Sequence, residues 1–274
     1  FKCENFQKTG SFKIRGASNA ILSLSEEKKS KGVITHSSGN FAQALSLAAN
    51  RANIKASIVM PENAPAAKKN AVRTYEGEII ECESSVISRE NTAEQIKKER
   101  DLTFIHPSNQ DDVILGQATS AMELLEDYSN LDYIFTPVGG GGLIAGTSLA
   151  CKYFSSHCKV IGGEPKNADD AFRSLKNGTI EYNETTNTIA DGLRSFLGDR
   201  NFPIIKENVS RIILVEEEEI VQAMKLIWER MKIIIEPSSA VAFAAFFKEK
   251  ENIKNKNIGI ILSGGNVDIN KLPF

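Results

Sequence analysis

The sequence has few cysteines, no excess of charge of one sign and no long apolar run. Its four cysteines, Cys3, Cys82, Cys151 and Cys158, are irregularly spaced without a Cys-x-x-Cys pair, which argues against a zinc site or a disulfide framework and for reduced thiols in the cytoplasm. The 33 Lys and Arg against 35 Asp and Glu leave no basic tract for nucleic acid or an anionic membrane. No apolar run approaches the ~18 residues of a membrane span. Small molecules are therefore the expected partners.

The order of apolar segments predicts the fold class. With 274 residues, of which 41% are hydrophobic, the chain is long enough for two packed lobes. Short runs rich in β-branched residues alternate with longer segments of helical period, which predicts βαβ units and an α/β fold. We predict strands at 33–37, 55–60, 78–82, 103–106, 133–138, 159–164, 211–215 and 257–262, and helices at 40–52, 64–75, 86–100, 112–127, 142–156, 217–232 and 238–250.

Two stretches fall outside this pattern. Residues 176–200 are rich in Asn, Thr and Gly, so we expect them to cross the surface or the mouth of an active site. The chain begins at Phe1 without methionine, so we also expect that a segment precedes it.

Four successive glycines follow one of the predicted strands. The stretch YIFTPVGGGGLIAG, residues 133–146, predicts a buried strand, a glycine loop and the start of a helix. Backbone N–H groups of glycine can approach an anion closely, and the positive end of the helix dipole adds attraction, so a phosphate site is indicated. A dinucleotide site is an alternative, because Gly140, Gly142 and Ala145 match GxGxxA and Glu164 ends the next strand, where a ribose-binding acid would stand. A plain flexible loop is the third interpretation.

Two further motifs follow predicted strands. HSSGN at 36–40 begins a helix, and its hydroxyls, amide and free backbone N–H groups suit a carboxylate, although simple helix capping uses the same residue types. SGGN at 263–266 follows the last strand, where a plain turn is the alternative. Because ligands collect at the carboxyl ends of parallel strands, we expect the three motifs to face one cleft.

A lysine inside a short apolar segment requires an explanation. SFKIRGA, residues 11–17, places Lys13 between Phe12 and Ile14 at the start of a helix. Burial lowers the pKa of a lysine, and the neutral amine condenses with an aldehyde. The best-known aldehyde of this kind that also carries a phosphate is pyridoxal 5′-phosphate. Lys13 and the glycine loop together therefore predict this cofactor.

Together these motifs resemble those of a known family. They are similar to those of the fold-type II pyridoxal-phosphate enzymes, most closely the serine racemases and serine/threonine dehydratases. From Lys2 to Asp268 they follow the family's order: SFKIRGA, HSSGN, PVGGGGLIAG, EPKNADD, IADGL, WERMK, EPSSA and LSGGNVD. The resemblance implies a fold like that of tryptophan synthase β, with two open, twisted, mostly parallel sheets flanked by helices. It also implies a large cofactor-binding domain at 1–31 and 109–274, and a small substrate-closing domain at 32–108.

The resemblance assigns residues to the cofactor. Lys13 becomes the Schiff-base lysine, with Phe12 beside the cofactor ring. Asn40 would bond the phenolic oxygen, and Ser263 would meet the pyridine nitrogen with a neutral hydroxyl. The phosphate would be held by Gly139, Gly140, Gly141, Gly142 and the amide of Leu143.

The resemblance also assigns residues to the substrate. Ser38 would exchange a proton on the face opposite Lys13, and Ser37 with the 38–41 backbone would hold the substrate carboxylate. Arg89, in SRENTAEQ, resembles a residue that approaches the substrate when the small lobe closes; an exposed helix arginine is the alternative. The implied substrate contacts are thus Ser37, Ser38, Asn40, Phe41 and Arg89.

Two positions depart from the family's pattern. Phe41 stands where relatives carry histidine, so any side-chain contact from that position is lost although its amide remains. Ser108 stands where close relatives carry asparagine near the cofactor, and the neighbouring Asn109 could compensate. These departures leave the cofactor assignment intact and leave the substrate open.

An acidic motif resembles the divalent-cation site of the family. In EPKNADD at 164–170, the ligands would be Glu164, Asp170 and the carbonyl of Ala168. Oxygen-only ligation suits Mg²⁺ or Ca²⁺. An acidic loop without metal is the alternative. The dinucleotide interpretation also uses Glu164, and the presence of Asp170 favours the cation.

We therefore expect a cytoplasmic homodimer that interconverts L- and D-serine and eliminates water from serine to give pyruvate and ammonia. A threonine/serine dehydratase without racemase activity is the nearest alternative, and an aspartate racemase is a more distant one. A nicotinamide-dependent oxidoreductase and a binding protein without a working cofactor belong to other classes. Because racemases of the family respond to Mg-ATP, ATP is a further implied effector.

Overall fold

The computed structural model describes residues 1–64 and 66–274. They divide into two compact units, termed the large unit (Phe1–Phe12 with Gln117–Phe274) and the small unit (Lys13–Gly116). The predicted domains differ from these units at residues 13–31 and 109–116, which lie in the small unit. The physical reason is packing, because the helix that starts at Lys13 buries its apolar side in the core of the small unit. As a division into cofactor-binding and substrate-closing domains, the prediction stays a prediction.

Parallel strands form the sheet of the small unit. The strands are β2 (Val33–His36), β3 (Ala56–Pro61), β4 (Glu78–Cys82) and β5 (Thr103–Phe104), in the order β4-β3-β2-β5. The helices are α1 (Lys13–Leu22), α2 (Glu26–Lys31), α3 (Asn40–Arg51), α4 (Ala66–Thr74) and α5 (Val86–Arg100). Helix α6 (Asp111–Asp127) begins in the small unit and ends in the large unit.

The core of the small unit lies between its sheet and the helices α1 and α3. Ile14, Ala17 and Ile21 recur at helical spacing along α1, and all three are buried. Helix α1 packs against α3, which contributes Leu45 and Ala49 to the same core cluster. Burying one aliphatic side chain of this size contributes roughly 1.5–3 kcal/mol. This packing fixes the orientation of α1 and, with it, the position of its first residue.

The large unit contains a second parallel sheet. Its strands are β1 (Lys2–Cys3), β6 (Tyr133–Pro137), β7 (Lys159–Pro165), β8 (Val209–Val215) and β9 (Ile258–Leu262), in the order β1-β9-β6-β7-β8. Its other helices are α7 (Gly142–Phe154), α8 (Asp170–Asn177), α9 (Asn201–Asn208), α10 (Glu217–Met231) and α11 (Pro237–Glu249). Strand β7 is buried along six of its seven residues, as expected for a central parallel strand covered on both faces.

The alternation of strands and helices predicted from the sequence agrees with these two parallel sheets. All eight predicted strands are present with boundaries that differ by at most two residues, whereas β1, which has only two residues, was not predicted. Each of the four cysteines is a free thiol. No helix within the described residues combines the length and the apolarity needed to cross a membrane.

Candidate active site

The predicted site residues are distributed over both units. The small unit holds those assigned to the substrate and to covalent attachment: Lys13, Ser37, Ser38, Asn40, Phe41 and Arg89. The large unit holds those assigned to the cofactor ring, the phosphate and the cation: Phe12, Gly139, Gly140, Gly141, Gly142, Leu143, Glu164, Ala168, Asp170 and Ser263. Each unit therefore carries its own part of the predicted site.

Lys13 is the first residue of α1 and is half-buried. Its Nζ donates a 2.9 Å hydrogen bond to the carbonyl oxygen of Pro107 and lies 5.7 Å from the centre of the Phe41 ring. Successive positions of an α-helix point about 100° apart, so Ile14 can enter the core while Lys13 reaches past it. This geometry explains why a lysine can stand inside the apolar segment.

Strand β2 ends in the HSSGN motif, which leads into α3. The N-cap of α3 is Gly39, so neither serine occupies the usual capping position. The Oγ of Ser37 instead accepts a 3.3 Å hydrogen bond from the backbone N–H of Gly39, and Ser37 and Ser38 are both half-buried. The first N–H groups of a helix have no partner within it, so they can bind a carboxylate.

The two positions that depart from the family's pattern are both buried. Phe41 is 2% exposed and packs in the core of the small unit. The backbone N–H groups of Ser108 and Asn109 donate hydrogen bonds of 3.1 and 2.8 Å to Nδ1 of His106. In the neutral imidazole the proton of His106 therefore lies on Nε2.

Arg89 is half-buried in α5. Its Nε is shielded from solvent and makes no hydrogen bond among the residues described. The guanidinium charge affects His36 and Cys82, which are the last residues of β2 and β4. Burial, and after it the charge of Arg89, lowers the pKa of His36. Burial raises the pKa of Cys82, and the charge of Arg89 opposes this rise. This environment differs from the exposed helix arginine of the alternative interpretation, and it suits an anionic group.

The four glycines connect β6 to α7 in the large unit. Gly141 is the N-cap of α7 with a φ of 81°, in the left-handed region. A Cβ at Gly139 would lie 2.7 Å from Cα of Leu193, and a Cβ at Gly141 would lie 2.7 Å from Oδ1 of Asn201. Only glycine fits this path, which brings free backbone N–H groups to the positive end of a 13-residue helix. The loop therefore fits a phosphate and is packed too closely to be a flexible connection.

Asn201 contacts the glycine loop, and this contact was not predicted from the sequence. It is fully buried, and its Nδ2 donates a 2.8 Å hydrogen bond to the carbonyl of Gly140, while its Oδ1 accepts one of 3.0 Å from the N–H of Gly198. Leu193 and Leu197 also pack against these glycines; both belong to the segment 176–200, which we expect to cross the surface or the mouth of an active site. Neither spacing nor charge marks Asn201 in the sequence.

The SGGN motif follows β9, which is the neighbour of β6 in the sheet. Parallel neighbours end at the same edge, so Ser263, which is 3% exposed, lies at the edge that also carries the glycine loop. The backbone N–H of Phe12 donates a 3.0 Å hydrogen bond to the carbonyl of Ser263. A Cβ at Gly264 would lie 2.9 Å from Oε1 of Glu236. The large unit thus brings Phe12 and Ser263 together and adds a buried carboxylate that was not predicted.

The acidic motif forms a compact buried group at the end of β7. Glu164 and Asp170 are each 1% exposed, and Ala168 is fully buried. The two oxygens of Glu164 accept hydrogen bonds of 2.9 and 2.8 Å from the N–H groups of Ala171 and Phe172. Oδ1 of Asp170 accepts a 2.7 Å bond from Asn183, whereas its Oδ2 is buried without a hydrogen-bond partner.

Burial changes the acidity of both carboxyl groups. It raises the pKa of Glu164 well above its usual range, with a further contribution from the charge of Asp170 and opposition from the two N–H donors. It also raises the pKa of Asp170 to about 7, against the hydrogen bonds that stabilise its charged form. In residues 1–64 and 66–274, no three His, Cys, Asp or Glu side chains meet as metal ligands. A cation here would thus be held by two carboxylates and a carbonyl, and it would relieve the repulsion between buried charges.

The dinucleotide interpretation conflicts with the position of Glu164. Its side chain is only 1% exposed, so its two oxygens are closed to a group as large as a ribose, although a single ion is small enough to lie beside them. A ribose hydroxyl would need one of those oxygens to be accessible.

Comparisons with known proteins show the family to which the chain belongs. The family model described as pyridoxal-phosphate dependent enzyme matches residues 1–264. The chain is 51% identical over 278 residues to the serine racemase of Dictyostelium discoideum, covering 99% of this chain and 85% of that protein. It is 48% identical over 274 residues to the β-hydroxyaspartate dehydratase of Paracoccus denitrificans, covering 100% and 87%.

A solved structure shows the same architecture. Maize serine racemase superposes with a TM-score of 0.95 at 46% identity, over 98% of this chain and 83% of that one. The predicted fold class is therefore confirmed.

Proposed function

Because the chain belongs to the pyridoxal-phosphate dependent enzyme family, we propose that it interconverts L- and D-serine and also eliminates water from serine to give pyruvate and ammonia. The observation that carries this proposal is the position of Lys13 beside the first turn of α3. The Nζ of Lys13 lies 5.7 Å from the centre of the Phe41 ring. Phe41 follows Ser38 by three residues in the chain. The identity to serine racemases over nearly the whole chain supports the choice of substrate.

Two side chains of the small unit would move the proton at the substrate Cα. When bound, pyridoxal phosphate acidifies the Cα–H of an amino acid. The amine of Lys13 would serve one face of Cα and the hydroxyl of Ser38 the other. Ser37 and the backbone of residues 38–41 would hold the substrate carboxylate, which keeps the Cα–H aligned with these groups.

The remaining assignments concern the cofactor itself. The phosphate would be bound by Gly139, Gly140, Gly141, Gly142 and the amide of Leu143, and the tight path of this loop supports that role. Ser263 would face the pyridine nitrogen, Phe12 the ring, and Asn40 the phenolic oxygen. A neutral hydroxyl opposite the nitrogen moderates electron withdrawal, which is consistent with an enzyme that performs both racemisation and elimination.

The activity is tested by incubating the purified protein with L-serine and measuring both products. Chiral chromatography should show D-serine, and a coupled assay should show pyruvate. Pyruvate without D-serine would indicate a serine/threonine dehydratase. If neither product appears, the proposed function is wrong.

We also propose a Mg²⁺ or Ca²⁺ ion bound by Glu164, Asp170 and the carbonyl of Ala168. The buried Oδ2 of Asp170, which has no hydrogen-bond partner, supports this site. Because a ligand that binds only the folded state stabilises it, chelator should lower the melting temperature of the wild type, and added Ca²⁺ should restore it. Asp170→Ala should show no response to either. A wild type that contains no metal and ignores chelator would leave only an acidic loop.

A second substrate is supported by two observations. The 48% identity to a β-hydroxyaspartate dehydratase suggests a 3-hydroxy acid with a second carboxylate, and the buried Nε of Arg89 could bind that carboxylate. We therefore propose β-hydroxyaspartate as the alternative substrate for the same elimination, which would yield oxaloacetate and ammonia. Comparing kcat/KM for serine and for the hydroxyaspartate stereoisomers decides between them, and Arg89→Ala should reduce the hydroxyaspartate reaction more than the serine reaction.

The assembly and its regulation complete the proposal. We propose a cytoplasmic homodimer in which ATP acts as an effector, with cofactor-binding and substrate-closing domains as predicted from the sequence. Light scattering at several concentrations tests the dimer. Activity measured with and without Mg-ATP tests the effector.

A further inference from the structure

Asp170 has two oxygens in different environments. Oδ1 accepts a 2.7 Å hydrogen bond from Nδ2 of Asn183, whereas Oδ2 has no hydrogen-bond partner although Asp170 is 1% exposed. A buried carboxylate oxygen without a donor costs about 1–3 kcal/mol or more. The carboxylate could avoid this cost by turning, unless its neighbours hold it in place.

Arg173 fixes the direction of the Asn183 amide. The guanidinium Nη2 donates a 2.5 Å hydrogen bond to Oδ1 of Asn183, and its Nε donates a 2.8 Å bond to Oδ1 of Asp169. Arginine can only donate, so the oxygen of the amide must face Arg173 and the nitrogen must face Asp170. The amide therefore has one orientation, and it always presents a donor to the same oxygen of Asp170.

We propose that Arg173 and Asn183 form a clamp that directs Oδ2 of Asp170 to the divalent cation, and that cation binding thereby stabilises the segment 179–188. Both are positioning residues, because they act through Asp170. The inference rests on the cation site proposed above. It adds a link between that site and a segment that contains no helix or strand.

The segment is attached to α8 at several points around the clamp. The N–H of Glu181 donates a 2.8 Å hydrogen bond to Oγ of Ser174, which itself donates a 2.6 Å bond to the carbonyl of Asp170. Arg173 also donates a 3.1 Å bond to the carbonyl of Tyr182. Coupling between two binding events is reciprocal. If these contacts strengthen cation binding, the cation must strengthen the contacts equally.

The test uses calcium chloride and the full-length holoenzyme after metal removal with chelator. Isothermal titration measures the affinity of wild type, Asn183→Ala, Arg173→Ala and the control Asn187→Ala. Asn187 lies in the same segment with an exposed side chain, so its replacement should leave the affinity unchanged. Loss of a residue that orients a ligand typically weakens metal binding 10–100-fold. We expect about this loss in Asn183→Ala and a smaller one in Arg173→Ala, where the amide can rotate.

Hydrogen exchange supplies a readout that does not depend on activity. Ca²⁺ should slow exchange of the Glu181 amide in wild type and in Asn187→Ala, but not in Asn183→Ala. Undiminished Ca²⁺ affinity in Asn183→Ala would overturn the clamp while leaving the cation site intact. If the wild type binds no Ca²⁺, both proposals are wrong. If circular dichroism shows that Asn183→Ala is unfolded, the Arg173→Ala variant decides alone. A Ca²⁺ affinity equal to that of the wild type in Arg173→Ala would then overturn the clamp.

Discussion

The amine of Lys13 donates a 2.9 Å hydrogen bond to the carbonyl of Pro107. The same Nζ lies 5.7 Å from the centre of the Phe41 ring. Because this acceptor is a neutral carbonyl, breaking this particular hydrogen bond separates no opposite charges. The covalent role proposed for Lys13 requires the amine to leave this acceptor.

Replacing Lys13 should abolish covalent attachment of the cofactor without preventing the protein from folding. In Lys13→Ala, we expect loss of the visible absorbance of the bound cofactor, while the melting temperature of the cofactor-free protein changes little. Borohydride followed by peptide mass spectrometry should label the Lys13 peptide in wild type. Lys8→Ala, which removes an exposed lysine, should be labelled as the wild type is. A pyridoxyl group on any other lysine would exclude Lys13 from this role.

Ser38 should distinguish racemisation from elimination. Racemisation needs a proton-transfer group on each face of Cα, whereas elimination from L-serine needs only the face of Lys13. In Ser38→Ala we expect conversion of L- to D-serine and elimination from D-serine to fall by ~10²–10⁴-fold, while elimination from L-serine persists. Chiral chromatography and a pyruvate assay measure this on wild type, Ser38→Ala and Ser30→Ala, whose serine is exposed. An equal loss of all three activities would instead make Ser38 a carboxylate-binding residue.

Asn201 should be needed for the shape of the glycine loop. Asn201→Ala removes the donor to the Gly140 carbonyl and leaves a buried acceptor, which should cost about 1–3 kcal/mol of unfolding free energy and weaken cofactor binding. Asn201→Asp retains an acceptor for the N–H of Gly198 but loses the same donor. We expect both variants to lose affinity for pyridoxal phosphate in equilibrium dialysis. Wild-type affinity in both would show that the loop keeps its shape without this hydrogen bond.

His36 should make the stability depend on pH. Burial and the charge of Arg89 lower its pKa, with Glu90 acting in the opposite direction, and it packs near Phe104 and His106. Below the ordinary histidine pKa of about 6.5, the unfolded chain takes up a proton that the folded chain resists. The free energy of unfolding should therefore fall as the pH drops through about 6.5, and the contribution should vanish above it.

Urea unfolding at several pH values between 5 and 8 measures this slope. His36→Gln should flatten the slope, and His157→Gln, which replaces an exposed histidine, should leave it unchanged. An unaltered slope in His36→Gln would assign the pH dependence to other groups.

The sequence predicts the fold well where strands are long and apolar. All eight strands of four or more predicted residues were found because their runs lie between helical segments, while β1 has too few residues for a period to show. The motifs at strand ends were also recognisable, because short residue sets such as HSSGN and SGGN have fixed spacing. The packing of α1 in the small unit was not predictable, since it depends on which core the apolar face of α1 joins.

Residues that act through distant contacts were missed for a different reason. Asn201 meets Gly140 across 61 positions of the chain, and Asn183 meets Asp170 across 13. Asparagine is common in loops and turns, so neither residue differs in the sequence from its neighbours. Only the folded chain reveals that one supports a loop and the other orients a carboxylate.

The packing around Gly139 and Gly141 determines which residues would persist in gene copies descended from this protein. Leu193 and Asn201 occupy the space that a Cβ would need, so glycine is required there by the protein's own packing, with or without a bound phosphate. A gene copy that lost its chemistry would therefore keep the glycine signature for as long as it kept its fold. Substitution of Lys13 would be the earlier and more reliable sign that such a copy had ceased to be an enzyme.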